Sequence, residues 1–480
     1  MGFSLILPIL IGCGGYSMHE VRLAIERGEF ETALTHLDKE DSKKRNLPYL
    51  FERGLIAHYA NRFEESNQEF ERAEIIAEDL YTKSISKEIA SLLTSDTIRP
   101  YPGTRYERML IHYYRALNYA YLNLPDDALV ECRRAGQLLQ YYSDEDETYN
   151  FAGAAFVAYL SGIFYEWVED WNNAYIAYQW AEAGYQRYAA QLGVSPPDDI
   201  GHALVRLARL LGFVEDLNRY TELYGEPLPS PPGFGELIFI YESGFVPHKT
   251  TENLYFPILK TDPIVSGKKR REENEDELWE FADTVSRRRN LRYEKVELEY
   301  LLRVAIPVYT SNRPRLVQVN LEVESLSDPT HRDRIDADSQ HSEIPNPEPR
   351  ASYIQANSVL VEDVEGAALA TFASEQNTIL IRTVVRAILK YLAFRRADKK
   401  GDLLGNLVNL FNVATERADT RSWETLPNQI SLVRMSLPAG SHNVTLYFLD
   451  DDGIHLRTET LSDVKIEANG KTFLNYRTFE

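Results

Sequence analysis

Tyrosine and arginine gather between residues 101 and 121: Tyr101, Arg105, Tyr106, Arg108, Tyr113, Tyr114 and Arg115, followed by Asn118 and Tyr121. Guanidinium forks and phenol rings with a polar tip dominate protein–protein hot spots. Their chemistry is recognition rather than bond breaking, so these positions are candidate contacts for a partner protein. Pro102-Gly103 marks a turn, and Thr104 with Glu107 reads as a capping box opening the helix that carries the rest. The same residues also suit a bracing role, in which one repeat is capped against its neighbour, and the sequence leaves both roles open.

Groups that could react are few. The only cysteines are Cys13 and Cys132, too few for a disulfide framework. His331, Asp333, Asp336, Asp338 and His341 cluster in one polar stretch, but without EF-hand or zinc spacing. Closing a loose loop around an ion would also cost ordering entropy, so no metal is expected there. Asp450, Asp451 and Asp452 before Gly453 are ordinary turn chemistry, and Ser441 beside His442 says nothing of a triad. The sequence holds no phosphate loop, no H-E-x-x-H and no nucleophile elbow, and Gly233-Phe234-Gly235 lacks a third glycine. The expectation is a protein with no catalytic residues and no cofactor.

Cys13 has another use. Phe3 to Ile11 is apolar apart from Ser4 and Pro8, and Gly12, Cys13, Gly14 and Gly15 follow. A bilayer span needs roughly 20 apolar residues, whereas a short apolar run ending in small residues is the pattern of a cleaved secretory signal. Leu10-Ile11-Gly12-Cys13 resembles a bacterial lipobox. That resemblance implies a signal peptide over 1–12, a diacylated Cys13 as new N-terminus, and a short tether over 13–18. Gly14 in place of Asp implies, by similarity to other lipoproteins, the outer membrane with the chain facing the periplasm. Each buried acyl methylene contributes about 0.8 kcal/mol, so two chains hold without a membrane-spanning helix. The alternative is an apolar N-terminal element with an incidental cysteine.

The elements that must position the Tyr/Arg cluster read as helical repeats over 19–225. Tetratricopeptide repeats place small residues where two helices cross and aromatics in the gaps. Four segments fit: Gly28, Phe30, Ala33 and Leu37; Gly54, Phe63, Ser66, Phe70 and Ala73; Ala116, Tyr119, Ala128, Cys132 and Ala135; and Gly162, Tyr165, Trp171, Ala174, Tyr178 and Ala181. From Gly54 to Ser66, Ala116 to Ala128 and Gly162 to Ala174 the separation is 12. Between repeats it varies: 33 from Ala33 to Ser66, 62 from Ser66 to Ala128, and 46 from Ala128 to Ala174. The long gap has room for an extra helix over Leu80–Thr94, and a degenerate fifth unit fits Ile200–Tyr224. Cys132 falls at a packing position and reads as a small buried hydrophobe. Such repeats stack into an arc whose inner surface binds an extended peptide or helix.

Pro227, Pro229, Pro231 and Pro232 break the pattern. Residues 226–480 read as a mixed α+β domain, so the expected class is a mainly α, TPR-like solenoid followed by an α+β C-terminal domain. Strands are expected at Glu236–Tyr241, Leu301–Tyr309, Leu316–Glu324, Tyr353–Val361, Ile430–Leu437, Asn443–Leu449 and Val464–Ala468. Inserts near 268–277 and 327–350 are too polar to pack and are expected to be disordered. A helix from Asp363 to Ala397 carries one stripe of Leu380, Val384, Ile388 and Leu392 and another of Arg382, Arg386 and Lys390. The reading is an apolar face on a sheet and a basic face in solvent, with a membrane-surface helix as the alternative. A short apolar helix is expected over Leu403–Thr415.

Size and charge set the outer bounds. At 480 residues the chain calls for two or three domains. Its 44% hydrophobic and 26% charged residues fit a folded protein, and a net charge of −21 repels phosphate backbones, which excludes nucleic acid as the main partner. Its 30 tyrosines suit half-buried repeat positions.

The lipobox, the Tyr101–Arg108 helix start, the Ala418-Asp419-Thr420-Arg421-Ser422-Trp423 segment, Thr425-Leu426-Pro427 and Leu437-Pro438-Ala439-Gly440 together resemble a family of bacterial tetratricopeptide-repeat lipoproteins with a mixed C-terminal domain. The resemblance implies architecture and an envelope location rather than a reaction. It points to a scaffold held by N-terminal acyl chains that binds a protein partner in the bacterial envelope. Two other readings stay open: a C-terminal enzyme or ligand-binding module acting on peptidoglycan or lipid, and a structural subunit of a secretion or surface-assembly machine.

Overall fold

The computed structural model describes residues 18–39, 46–86, 100–145, 152–229, 231–259, 298–311, 313–325, 352–398 and 417–480. Cys13 with the expected signal and the tether up to residue 17, the His331–His341 cluster, both polar inserts and the expected Leu403–Thr415 helix lie outside them, while Met18, expected in the tether, opens the first helix.

The N-terminal half pairs α1 (Met18–Glu26) with α2 (Phe30–Leu37), α3 (Leu47–Tyr59) with α4 (Phe63–Ser86), α5 (Arg105–Tyr121) with α6 (Pro125–Glu145), α7 (Ala152–Trp167) with α8 (Trp171–Leu192), and α9 (Asp198–Leu211) with α10 (Val214–Tyr224). The glycines of the repeat pattern explain the close crossings. A Cβ on Gly54 would stand 2.6 Å from the Phe70 ring, and one on Gly162 2.7 Å from Tyr178. Only a residue without a side chain lets the second helix seat its ring against the first. The expected extra helix over Leu80–Thr94 is, as far as Ser86, the last turns of α4.

The C-terminal half is helical repeats' complement, a sheet domain built from β1 (Phe234–Ser243), β2 (His248–Leu259), β3 (Leu298–Thr310), β4 (Gln318–Ser325), β5 (Ser352–Asn357), β6 (Val359–Asp363), α11 (Val364–Asp398), β7 (Gln429–Pro438), β8 (Gly440–Leu449), β9 (His455–Ile466) and β10 (Lys471–Thr478). One sheet has the order β10-β1-β7-β6, a second β5-β4-β8-β9, and β2 pairs with β3 as a separate ribbon. β1 runs parallel to β10 and antiparallel to β7. Side chains alternate along a strand. Accordingly Leu237, Phe239 and Tyr241 pack with Val319, Leu321, Val444 and Phe448 of the second sheet. Ile238, Ile240, Ile430 and Leu432 point the other way, into the core formed by the helices. The first sheet is thus buried on both faces, which is why Leu237–Tyr241 of β1 reads as an unbroken apolar run.

The structure departs from the expected elements at five places. β2 and β10 were not expected, and β9 begins at His455 rather than Val464. The single strand expected over Tyr353–Val361 is two, in different sheets, parted at Ser358, whose Oγ accepts from Val319 N at 3.0 Å. On α11 the expected orientation is corrected: Leu380 and Leu392 are 42% and 45% exposed, whereas Arg386 is 2% exposed. The ribbon decides this, because Ile258 and Tyr300 pack on Tyr391 and so turn that side of α11 inward.

Candidate functional site: two faces of the helical stack

Helices α3, α5 and α7 turn side chains toward the sheet domain, and Tyr113 and Tyr114 of the Tyr/Arg cluster lie there. What occupies that face is the protein's own chain. Trp423 is fully buried, stacked on Phe51 at 4.8 Å between ring centroids and flanked by Phe70 at 5.5 Å and Tyr114 at 6.0 Å. Two carboxylates grip the backbone around it. Glu107 uses one oxygen to close the α5 start, accepting from Thr104 N at 2.7 Å and Tyr101 Oη at 2.6 Å. Its other oxygen accepts from Trp423 N at 2.6 Å. Glu52 accepts from Glu424 N at 2.7 Å and from the Thr425 hydroxyl. Burial lifts the Glu52 carboxyl to about 8.

Glu242 of β1 is a second point of attachment. It accepts from Tyr59 Oη at 2.5 Å, Tyr114 Oη at 2.8 Å, Tyr113 Oη at 3.1 Å and Asn475 Nδ2 at 3.0 Å. Arg477 of β10 donates to Tyr59 Oη at 2.8 Å and to the Thr425 carbonyl at 2.6 Å. Further along, Arg434 of β7 donates to Glu236 at 2.7 Å, to Glu166 of α7 at 2.8 Å and to Tyr178 Oη at 3.1 Å, while Lys471 donates to both carboxylates. Burial alone would raise Glu166, but the Arg434, Lys471 and Arg206 charges hold it down at about 2; Glu236 is likewise depressed.

The remaining candidate residues hold helices to each other. Asn118 donates to Ser66 at 2.9 Å and Asn67 at 2.8 Å, with His58 Nδ1 at 2.6 Å from its oxygen. Arg108 lies over the Tyr81 ring at 4.6 Å, and Arg105 over Tyr142 at 5.1 Å. Tyr106 is buried, and Tyr121 packs on Phe63 at 4.9 Å. Arg115 pairs with Glu74 at 2.5 Å and Glu131 at 3.0 Å. Sequence reasoning missed that these carboxylates meet His112, and the three could offer metal ligands within 4.8 Å of one another. Arg115 and Arg134 already supply the positive charge there, so the group reads as an ionic tie between α4, α5 and α6. The structure therefore places the Tyr/Arg cluster against the protein's own helices and sheet, where the expected inner surface for an external partner is filled.

A different face stays open. Between α6 and α8, floored by α7, runs a groove of about 670 Å³. Trp180 stands at its edge, 65% exposed, with Ile176, Leu139 and Val157 along it. Arg133 and Arg187 lie on its rim, and among the described residues that line it none is Asp or Glu. Cys132 lies in the wall; burial pushes its thiol up to about 12, so it is no nucleophile. Gly136 faces open space: a Cβ there would meet nothing within 4 Å. A helix-interior glycine costs about 0.5–1 kcal/mol relative to alanine, and packing within the chain does not require this one.

No protein-family model matches the sequence, and no curated protein matches it. Several solved structures are similar to part of this chain. The apo form of RapI aligns at 12% identity over 43% of this chain and 50% of its own, with a TM-score of 0.32. MamA aligns at 12% identity over 42% of this chain and 90% of its own, with a TM-score of 0.27. The aspartyl phosphate phosphatase F of Bacillus subtilis aligns at 14% identity over 43% and 47%, with a TM-score of 0.29. This chain spans about half the length of RapI and of the phosphatase. Each of these likenesses covers less than half of this chain.

Proposed function

We propose that the protein is a non-catalytic scaffold of the bacterial envelope, tethered through acyl chains on Cys13 at the outer membrane and facing the periplasm. In this reading the sheet domain locks the repeats into one body, and a partner protein is held on the α6–α8 groove. The observation that carries it is the contrast in saturation. Inner-face carboxylates Glu52, Glu107, Glu166 and Glu242 each accept hydrogen bonds from within the chain, which supports a structural rather than a catalytic use. The groove, by comparison, leaves a large indole in solvent, and exposed aromatic anchors beside a cleft are what interfaces use.

Two measurements test this. A Cys13→Ala protein should lose acyl label and leave the membrane fraction; retention there removes the anchor from the proposal. A photo-crosslinking residue at Gln137, on the groove, should give one discrete adduct in cells that Trp180→Ala abolishes, whereas the same residue at exposed Leu228 gives none. Equal adducts at both positions would remove the groove as the partner face.

A further inference from the structure

The second sheet, β5-β4-β8-β9, packs one face into the protein. Val319, Leu321, Val323, Val444, Leu446 and Phe448 turn into the core between the sheets, so the residues between them point outward. Among the described elements, those that pack extensively against this sheet are strands of the first, on the core side. The register sets the outward side chains in rows across the strands. One row is Gln355, Glu322, Thr445 and Thr460, and the next is Asn357, Asn320, Tyr447 and Thr458. With neighbouring strands about 4.8 Å apart, each row is about 14 Å long. Tyr353, 56% exposed, stands one row further on, opposite Glu324.

Hydrogen bonds arrange the centre of this face. Glu322 accepts from Gln355 Nε2 at 2.6 Å and from Tyr447 Oη at 3.1 Å. The Tyr447 ring meets His455 edge-on at 5.6 Å, and His455 Nε2 lies 2.7 Å from the Thr458 hydroxyl. Asn320 and Asn357 are opposite each other on adjacent strands, and among the described residues neither amide side chain has a hydrogen-bond partner.

Charge and polarity narrow the ligand. β4, β5 and β8 contain no Lys or Arg. On β9, Arg457 lies over the core ring of Phe448, and Lys465 is opposite Ser441, beyond both rows. A phosphate, an anionic lipid or a nucleic acid would therefore meet Glu322 with no cation beside it. A protein interface is built on an apolar centre. These rows offer none, and an apolar cover would strip water from a carboxylate and its donors at a cost. A neutral sugar fits on both counts. Its hydroxyls donate and accept alike, so they answer an amide, a threonine or a carboxylate in the same row. The C–H face of a sugar ring is apolar and lies flat on a phenol ring, and Tyr353 and Tyr447 supply such rings.

We propose that the outer face of the second sheet binds a neutral glycan chain laid across β5, β4, β8 and β9, with sugar rings on Tyr353 and Tyr447 and hydroxyls bonded to Glu322, Asn320 and Asn357. This goes beyond the partner face on the repeats and does not depend on it: the sheet domain gains its own attachment, to carbohydrate.

The probes are cellohexaose, a chain of glucose, and chitohexaose, a chain of N-acetylglucosamine, each titrated against the full chain with heparin as the polyanionic control. Saturable binding of at least one hexasaccharide is expected, and none of heparin. The Tyr353→Ala, Tyr447→Ala double variant should weaken binding at least about tenfold at an unchanged melting temperature, because neither ring belongs to a core cluster. Tyr447→Phe keeps the ring but drops the bond to Glu322, so its affinity should fall between the two. If the double variant melts early, the Asn320→Ala, Asn357→Ala variant carries the same test, since those amides hold nothing within the chain. No saturation by either sugar, full binding by these variants, or heparin binding as tight as that of the sugars overturns the proposal. A photo-crosslinking residue at Thr460 that gives a discrete protein adduct in cells, undiminished by the hexasaccharides, would assign the face to protein and also overturn it.

Discussion

The inner face and the α6–α8 groove are built from the same repeats but have opposite relations to water. The inner face holds many polar groups, including Glu52, Glu107, Glu242 and the hydroxyls of Tyr113 and Tyr114, and the chain satisfies them itself. In the groove the largest apolar side chain, Trp180, is in solvent. Tyrosine and arginine therefore mark where an interface lies, without saying whether the other side belongs to the same chain. The open face is marked instead by what is missing among the described residues, namely side-chain volume at Gly136 and a carboxylate in the lining.

The largest effect that could break this comparison belongs to Trp423. Trp423→Ala should destabilise the protein by about 3–5 kcal/mol and expose the junction between repeats and sheets to limited proteolysis; an unchanged denaturation midpoint would mean the inner face is not held by this ring. Arg434→Leu should cost about the same, about 3–5 kcal/mol, because it leaves Glu166 and Glu236 buried with less compensation. The two carboxylate types also give opposite pH slopes. Glu166, held at about 2 when folded against an ordinary 4.5, contributes stability that is present above 4.5 and lost as pH falls toward 2. Glu52, raised to about 8, holds its proton in the folded state, so its contribution is fully present below 4.5 and lost as pH rises to 8. Melting temperature against pH should thus fall on both sides, and Glu52→Gln should flatten only the limb above 4.5. A Glu52→Gln profile that matches wild type would show that this carboxyl is wetter than its surroundings indicate. The smallest effects belong to the groove. Gly136→Ala should stabilise by about 0.5–1 kcal/mol, and Trp180→Ala should change stability by no more than about 0.5 kcal/mol. A large loss from either would show that the groove is part of the protein's own packing.

Much of the helical half was legible because its contacts are close in sequence. Gly54 meets Phe70 and Gly162 meets Tyr178 across one turn between paired helices, so spacing alone reveals them. Ser422-Trp423 stood out as a motif, but its place did not: the bond from Trp423 N to Glu107 spans 316 positions, and no local pattern reports such a distance. Glu107 shows the limit well. Its role in opening α5 is readable from Thr104 three residues earlier, whereas its second oxygen carries no local signature. On α11 the stripe rule failed because which side faces inward was settled by Tyr300 and Ile258 rather than by hydrophobicity. The groove was missed because a glycine without a neighbour looks, in sequence, like any other glycine.

β10 lies parallel to β1 in the sheet that covers the repeats, and it brings Lys471, Asn475 and Arg477 to Glu236, Glu242 and Tyr59. It is also synthesised after every other element described. Chains grow at about 5–20 residues per second, with N-terminal units able to fold first. Until β10 is in place the repeats keep their aromatic side uncovered, and a holding chaperone has the same surface to grasp that the finished molecule hides.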